Sequence, residues 1–121
     1  MFVLDASALI AYLREEPGKE IVKQALIEGS TCSAANWSES MQKALARGDD
    51  WDAMRQLVES YEMVIAPVTR ADAEWAAVYW QTHQNLSLAD RLCLALADRL
   101  GATVLTSDAM WGTEAPVQQI R

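Results

Sequence analysis

Residues 86–108 read LSLADRLCLALADRLGATVLTSD, and the fold class is legible in how that stretch changes period. Ser87 with Asp90 three positions on is a capping box, in which two side chains satisfy the unpaired N–H groups at the start of a helix. Leu92, Cys93, Leu96, Ala97 and Leu100 then recur at spacings of three and four, which is one buried stripe of that helix. Gly101 ends it, since glycine adopts the left-handed backbone of a helix terminus without a Cβ penalty. Thr103 to Thr106 reads as a short buried strand, and Asp108 stands just beyond its end. A helix that feeds at once into such a strand is half of a βαβ unit.

The same alternation extends in both directions. Phe2 to Leu4 is a short apolar strand, and Ala8, Leu9, Ile10 and Leu13 mark one side of a helix from Ala6 to about Arg14, stopped by Pro17-Gly18. A helix over about Lys19 to Glu28 follows, with Ile21, Val22, Ala25 and Leu26 on one side and Gly29 at its end. Thr31 to Ser33 is a second strand, and a helix over about Ala35 to Arg47 ends at Gly48. Asp49-Asp50 opens another helix to about Tyr61, with Trp51, Met54, Leu57 and Val58 spaced for burial. Met63 to Ala66 is a third strand, closed by Pro67, and Thr69 with Asp72 caps a helix through about Thr82. Val117 to Ile120 is a weaker fifth strand. The expected class is α/β, a parallel sheet of four to five strands with helices on both faces.

With 121 residues and 51% hydrophobic content, the chain is expected to form one domain over residues 1–121. No apolar run is long enough to cross a membrane and no secretion signal is visible, so a cytoplasmic protein is expected. Cys32 and Cys93 lie far apart without neighbours at metal-ligand spacing, and read as buried free thiols. The net charge of −7 lacks the basic footprint of an ordinary nucleic-acid binder, unless some of the 17 acids converge on bound cations.

Asp5 follows the first strand and Asp108 the fourth, and in a parallel sheet the loops leaving the carboxyl ends of the strands form the ligand crevice. Each also reads simply as a helix cap, as does Asp90 in its capping box. Glu39, inside the helix of NWSESMQK and past any capping position, reads by default as a solvated face. Convergence of the four would be costly, because two carboxylates about 4 Å apart repel by roughly 4 kcal/mol at an effective dielectric near 20. Hard cations such as Mg²⁺ or Mn²⁺ resolve that conflict.

His83 is the only histidine and reads as a surface residue, which removes any histidine acid–base pair from the candidate chemistry. The five glycines are scattered and form no phosphate-binding loop. Trp75, Tyr79 and Trp80 sit at helical spacing and read as core or subunit interface before base-stacking surface.

FVLDASALIAYLREEPG, NWSESMQK, VIAPVT and LSLADRLCLALADRLGATVLTSDAMW, in order and spacing, resemble the PIN-domain proteins, specifically the VapC-type ribonuclease toxins of type II toxin–antitoxin pairs. The resemblance spans nearly the whole chain. It implies a PIN-like three-layer α/β/α fold and places the family's catalytic, metal-binding acids on Asp5, Glu39, Asp90 and Asp108. Ser7 and Thr106 fall on supporting hydroxyl positions. The activity implied is Mg²⁺- or Mn²⁺-dependent in-line hydrolysis of RNA to 5′-phosphate and 3′-hydroxyl ends, with Glu39 either binding metal or positioning water. The partners implied are the RNA substrate, a cognate antitoxin that lays a segment into the acidic groove, and a second copy in a homodimer. Trp37, Met41, Trp75 and Trp80 are candidate apolar contacts for these partners, each with core burial as the first reading, and Arg14, Lys43 and Arg91 are candidate phosphate contacts.

Two other readings use the same acids. Receiver-like signalling domains hold Mg²⁺ in an acidic pocket, but they pair acids after strand one and need a late lysine, whereas Asp5 stands alone and the last lysine is Lys43. A non-catalytic protein-interaction module, with the acids serving only as caps, is the other.

Overall fold

The computed structural model describes all residues 1–121. Five strands, β1 (Phe2–Leu4), β2 (Ser30–Ser33), β3 (Val64–Ala66), β4 (Thr103–Thr106) and β5 (Val117–Gln119), form one parallel sheet in the order β3-β2-β1-β4-β5. Six helices connect them: α1 (Ala6–Leu13), α2 (Lys19–Glu28), α3 (Ala34–Arg47), α4 (Trp51–Glu59), α5 (Arg70–Trp80) and α6 (Leu88–Leu100).

Alternation along two central strands builds two cores. In register, Val3 lies beside Val104 and Leu4 beside Leu105. Successive side chains leave opposite faces of a strand, and the valines join Cys93, Leu94, Leu96 and Ala97 of α6, with Trp75 and Tyr79 of α5 against them. The leucines join Ala8, Leu9 and Ala11 of α1, Val22, Ala25 and Leu26 of α2 and Val58 of α4. Helices therefore cover both faces, as a parallel sheet requires. Helix α3 packs against both α1 and α6.

An ion pair fastens the outer layer on one side of the molecule. Asp72 accepts two 3.0 Å hydrogen bonds from the Arg99 guanidinium, which ties the first turn of α5 to the last turn of α6. Burial alone would raise the Asp72 carboxyl, but the Arg99 and Thr69 hydrogen bonds and the Arg99 charge hold it below the usual range. At the other edge, Gly18 turns the chain between α1 and α2 with φ +96°, and a Cβ there would stand 2.5 Å from the Ile120 carbonyl oxygen.

Several expectations change in the folded chain. The α5 helix stops at Trp80 rather than Thr82, α4 runs only to Glu59, and a short 3-10 turn at Ala109–Trp111 was not anticipated. Trp80 is 47% exposed and Met41 40%, so neither is core. Leu57 and Ile21 also face outward, because helices this narrow against the sheet bury a stripe that excludes them. Arg91 donates to the Ala76 carbonyl at 2.7 Å and reaches the Leu86 carbonyl at 3.4 Å, pinning α5 to α6 instead of standing free for phosphate. His83 is not a free surface side chain. It is half-buried and stacked on Tyr79. Both cysteines are fully buried, as expected.

Candidate active site

Chain leaving β1 returns on one side, to β2, and chain leaving β4 continues on the other, to β5. The crevice at such a divergence, outside the carboxyl ends of the strands, is where open α/β sheets take ligands. Asp5 and Asp108 both stand there.

Asp5 is 4% exposed. Its Oδ1 accepts hydrogen bonds from the Ser7 hydroxyl at 2.7 Å and the Ala8 amide at 2.8 Å, and its Oδ2 accepts one from the Thr106 hydroxyl at 2.5 Å. Thr106 Oγ1 in turn accepts from the Asp108 amide at 3.0 Å, and Ser7 Oγ from the Ser107 amide at 2.9 Å. The two hydroxyls lie 3.2 Å apart. Ser7 and Thr106, the two expected supporting residues, thus link the ends of β1 and β4 through a single carboxylate. Burial raises the Asp5 carboxyl to about 6, against the pull of the Thr106, Ala8 and Ser7 hydrogen bonds, and the charge of Asp90 pushes the same way as burial.

Asp90 is half-buried, and its Oδ2 accepts from the Ser87 amide at 3.1 Å. Asp108 is exposed, its Oδ1 accepting from the Met110 amide at 2.9 Å. Glu39 accepts at Oε1 from the Asn36 amide nitrogen at 3.1 Å. The Cys93 thiol is pushed up by burial and by the nearby charges of Asp5, Cys32, Asp90 and Glu39. The Cys32 thiol is pushed up to about 12 by burial, then by Asp5 and Glu39. Asp5, Glu39 and Asp90 therefore all lie near enough to act on the buried Cys93 thiol. Asp108 joins through Thr106.

Capping and site geometry coincide. Asp5 caps α1, Asp108 caps the 3-10 turn, and Asp90 completes the α6 capping box. One residue was not anticipated: Asn36, fully buried on α3, donates to Glu39 and, at 3.4 Å, to the Ala89 carbonyl beside Asp90. Its position one helical turn before Glu39 was the available signal.

No three His, Cys, Asp or Glu side chains stand close enough to make a ready metal cage. The donors are all oxygens, the type that hard cations take, and the buried Asn36 Oδ1 is a further oxygen with no hydrogen-bond partner. Mg²⁺ keeps several waters and uses one or two carboxylates together with substrate phosphates, so an open set of acids fits it in kind.

The sequence matches the PIN domain family over residues 2–112. The chain belongs to the PIN domain family. No curated protein matches it significantly in sequence. Among solved structures, this PIN domain is similar to a toxin–antitoxin complex from Klebsiella pneumoniae, with a TM-score of 0.79, 20% identity and coverage of 100% of this chain and 98% of that one. It is also similar to Mycobacterium tuberculosis VapC20, a sarcin–ricin loop cleaving toxin, with a TM-score of 0.68, 15% identity and 88% of each chain covered. A third, FitAcB from Neisseria gonorrhoeae, has a TM-score of 0.66 and 24% identity, with 100% of this chain and 97% of that one covered. At these identities the likeness is one of fold. No helix of the chain is long and apolar enough to cross a membrane.

Proposed function

We propose that this PIN domain is a metal-dependent endoribonuclease of the VapC type, a toxin restrained by a cognate antitoxin. The observation that carries this reading is Asp5: a carboxylate 4% exposed, held by three hydrogen bonds at the crevice of the sheet, with Asp90 close enough to disfavour its charge. An arrangement that makes a buried acid uncomfortable is worth keeping where a cation relieves it. The family and the toxins among the structural neighbours support the same reading.

In this mechanism Asp5, Asp90 and Asp108 hold Mg²⁺ or Mn²⁺, and Glu39, oriented by Asn36, binds it or positions water. The ion, when bound, supplies positive charge to the scissile phosphate and lowers the pKa of the attacking water. Ser7 and Thr106 fix the Asp5 carboxylate so that its oxygens need no reorganisation during reaction. Hydrolysis leaves 5′-phosphate and 3′-hydroxyl ends and needs no covalent intermediate.

Partner surfaces follow from the same reading. The acids offer an antitoxin arginine a charge-assisted pair. Met41, Leu45, Val64, Ile65 and Trp80 are exposed apolar residues available to a second copy or to the antitoxin. The protein then works in the cytoplasm, where its RNA substrate is found.

The test is cleavage of RNA by the purified protein with Mg²⁺ or Mn²⁺, compared with Asp5→Ala. Cutting that yields 5′-phosphate ends and disappears in the variant is the expected result. Ends carrying 2′,3′-cyclic phosphate, or cutting unaffected by Asp5→Ala, overturn the proposal.

A further inference from the structure

Beside the acids lies a cleft of about 430 Å³ that the nuclease mechanism leaves unused. One wall is the end of α5 and the segment leading into α6, with Tyr79, His83, Asn85 and Leu86, and the other is the chain from Met110 to Val117. Both walls run into the candidate site, since Asp90 lies four residues past Leu86 and Asp108 two residues before Met110.

Three rings form a column along this wall. Trp75 stacks on Tyr79 with centroids 4.6 Å apart and planes at 15°, and His83 stacks on the same tyrosine at 3.8 Å and 7°. The helix ends at Trp80, and the turn after it carries His83 back over Tyr79. His83 Nδ1 is held by the Thr82 hydroxyl at 2.8 Å and lies 3.3 Å from the Tyr79 carbonyl oxygen. The imidazole is thus a fixed flat plate at the head of the column, and it lines the cleft.

The opposite wall carries the acidic side chain of Glu114. The Glu114 carboxylate lies near enough to act on the Tyr79 hydroxyl. A flat aromatic plate and a carboxylate lining one cleft is the chemistry that receives an unstacked nucleobase.

We infer that this cleft holds one base of the RNA, next to the phosphate at the acids, stacked against His83 and hydrogen-bonded at its edge by Glu114. The inference rests on the ribonuclease reading and deepens it by assigning a residue-level source of sequence preference. Glu114 can only accept, so guanine, whose N1–H and N2 amino group stand side by side for both carboxylate oxygens, is favoured over adenine, cytosine and uracil, each of which offers a single donor group there. Substrates are accordingly single-stranded or looped RNA, because a paired base cannot enter.

Two readouts separate this inference from the reading beneath it. The first is binding of short oligoribonucleotides of A, C, G or U to Asp5→Asn protein without metal, followed by tryptophan fluorescence, since Trp111 lines the cleft. Expected is quenching strongest with the G oligomer, weakened about tenfold by His83→Ala, with Glu114→Gln removing the preference for G. Both positions lie outside the two cores, and far-UV circular dichroism checks that the variants fold. The second is cleavage by the protein carrying native Asp5. Cutting that requires Asp5 but keeps its rate and base preference in His83→Ala and Glu114→Gln, with equal oligomer binding, overturns the base site and leaves the nuclease standing. Base-selective binding that depends on His83 and Glu114, in a protein that cuts no RNA, overturns the nuclease and leaves the base site standing.

Discussion

The Thr106 hydroxyl donates to Asp5 Oδ2 while accepting from the Asp108 amide, so one side chain connects two acids separated by more than a hundred residues of sequence. Replacement by valine keeps the shape and deletes both bonds. A buried acceptor and a partly buried donor are then unmatched, so Thr106→Val loses about 2 kcal/mol of stability, and Thr106→Ser recovers most of it. Urea unfolding at pH 7 measures the difference.

Asp5 carries a pH signature of opposite sign. Its carboxyl ionises at about 6 in the folded chain against 3.8 as the reference value, so the folded state binds the proton more tightly. Stability is therefore lost as pH rises from the unfolded value through about 6. The difference corresponds to about 3 kcal/mol at pH 7.5. Asn caps a helix as well as Asp does, so Asp5→Asn melts higher than the native protein at pH 7.5 in chelator, and the gap closes towards pH 4. Mg²⁺ or Mn²⁺ raises the melting temperature of the native protein and leaves Asp5→Asn unchanged; the reverse order at pH 7.5 refutes the assignment.

The Asp72–Arg99 pair behaves as an ordinary carboxylate contact. Its folded-state value is depressed, so its stabilisation is present above the unfolded pKa and is lost as pH falls through the lower folded one. Asp72→Asn costs about 2 kcal/mol at pH 7, from a lost capping partner and a lost charge-assisted bond. Under strongly acidic conditions the variant and the native chain converge, which acid titration of the melting temperature checks.

Asn36→Ala releases Glu39 from its donor. Positioning partners of this kind are worth about 10- to 100-fold in activity, and a fall of that size in RNA cleavage, with an unchanged far-UV spectrum, is the expected outcome. An unaltered rate would remove Glu39 and its support from the reacting group.

Gly18→Ala tests the seam at the C-terminal strand. The residue would have to hold φ +96° with its Cβ 2.5 Å from the Ile120 carbonyl oxygen, which only backbone movement relieves. A loss of about 2 kcal/mol is expected, read as a lowered midpoint in denaturant.

The strand–helix alternation was legible because punctuation and period agreed. Capping boxes at Thr69 and Ser87 and glycines at 29, 48 and 101 mark element ends in both sequence and structure. Exposure was less legible, since Met41 and Trp80, read first as core, stand 40% and 47% exposed. The stack of His83 on Tyr79 depends on a turn whose path no local pattern announces. Asp5 stood out as a charge at a buried seam, but the part played by Asn36 depends on α3 lying against α6, a tertiary fact.

The acids that cap helical turns also make the site readable without substrate. The Ala8 and Met110 amides donate to Asp5 and Asp108. An ion competing for those oxygens alters how firmly the amides are held, so deuterium uptake at two backbone positions becomes a gauge of occupancy. Cation loading could then be titrated in a protein carrying every native residue, with no RNA in the tube.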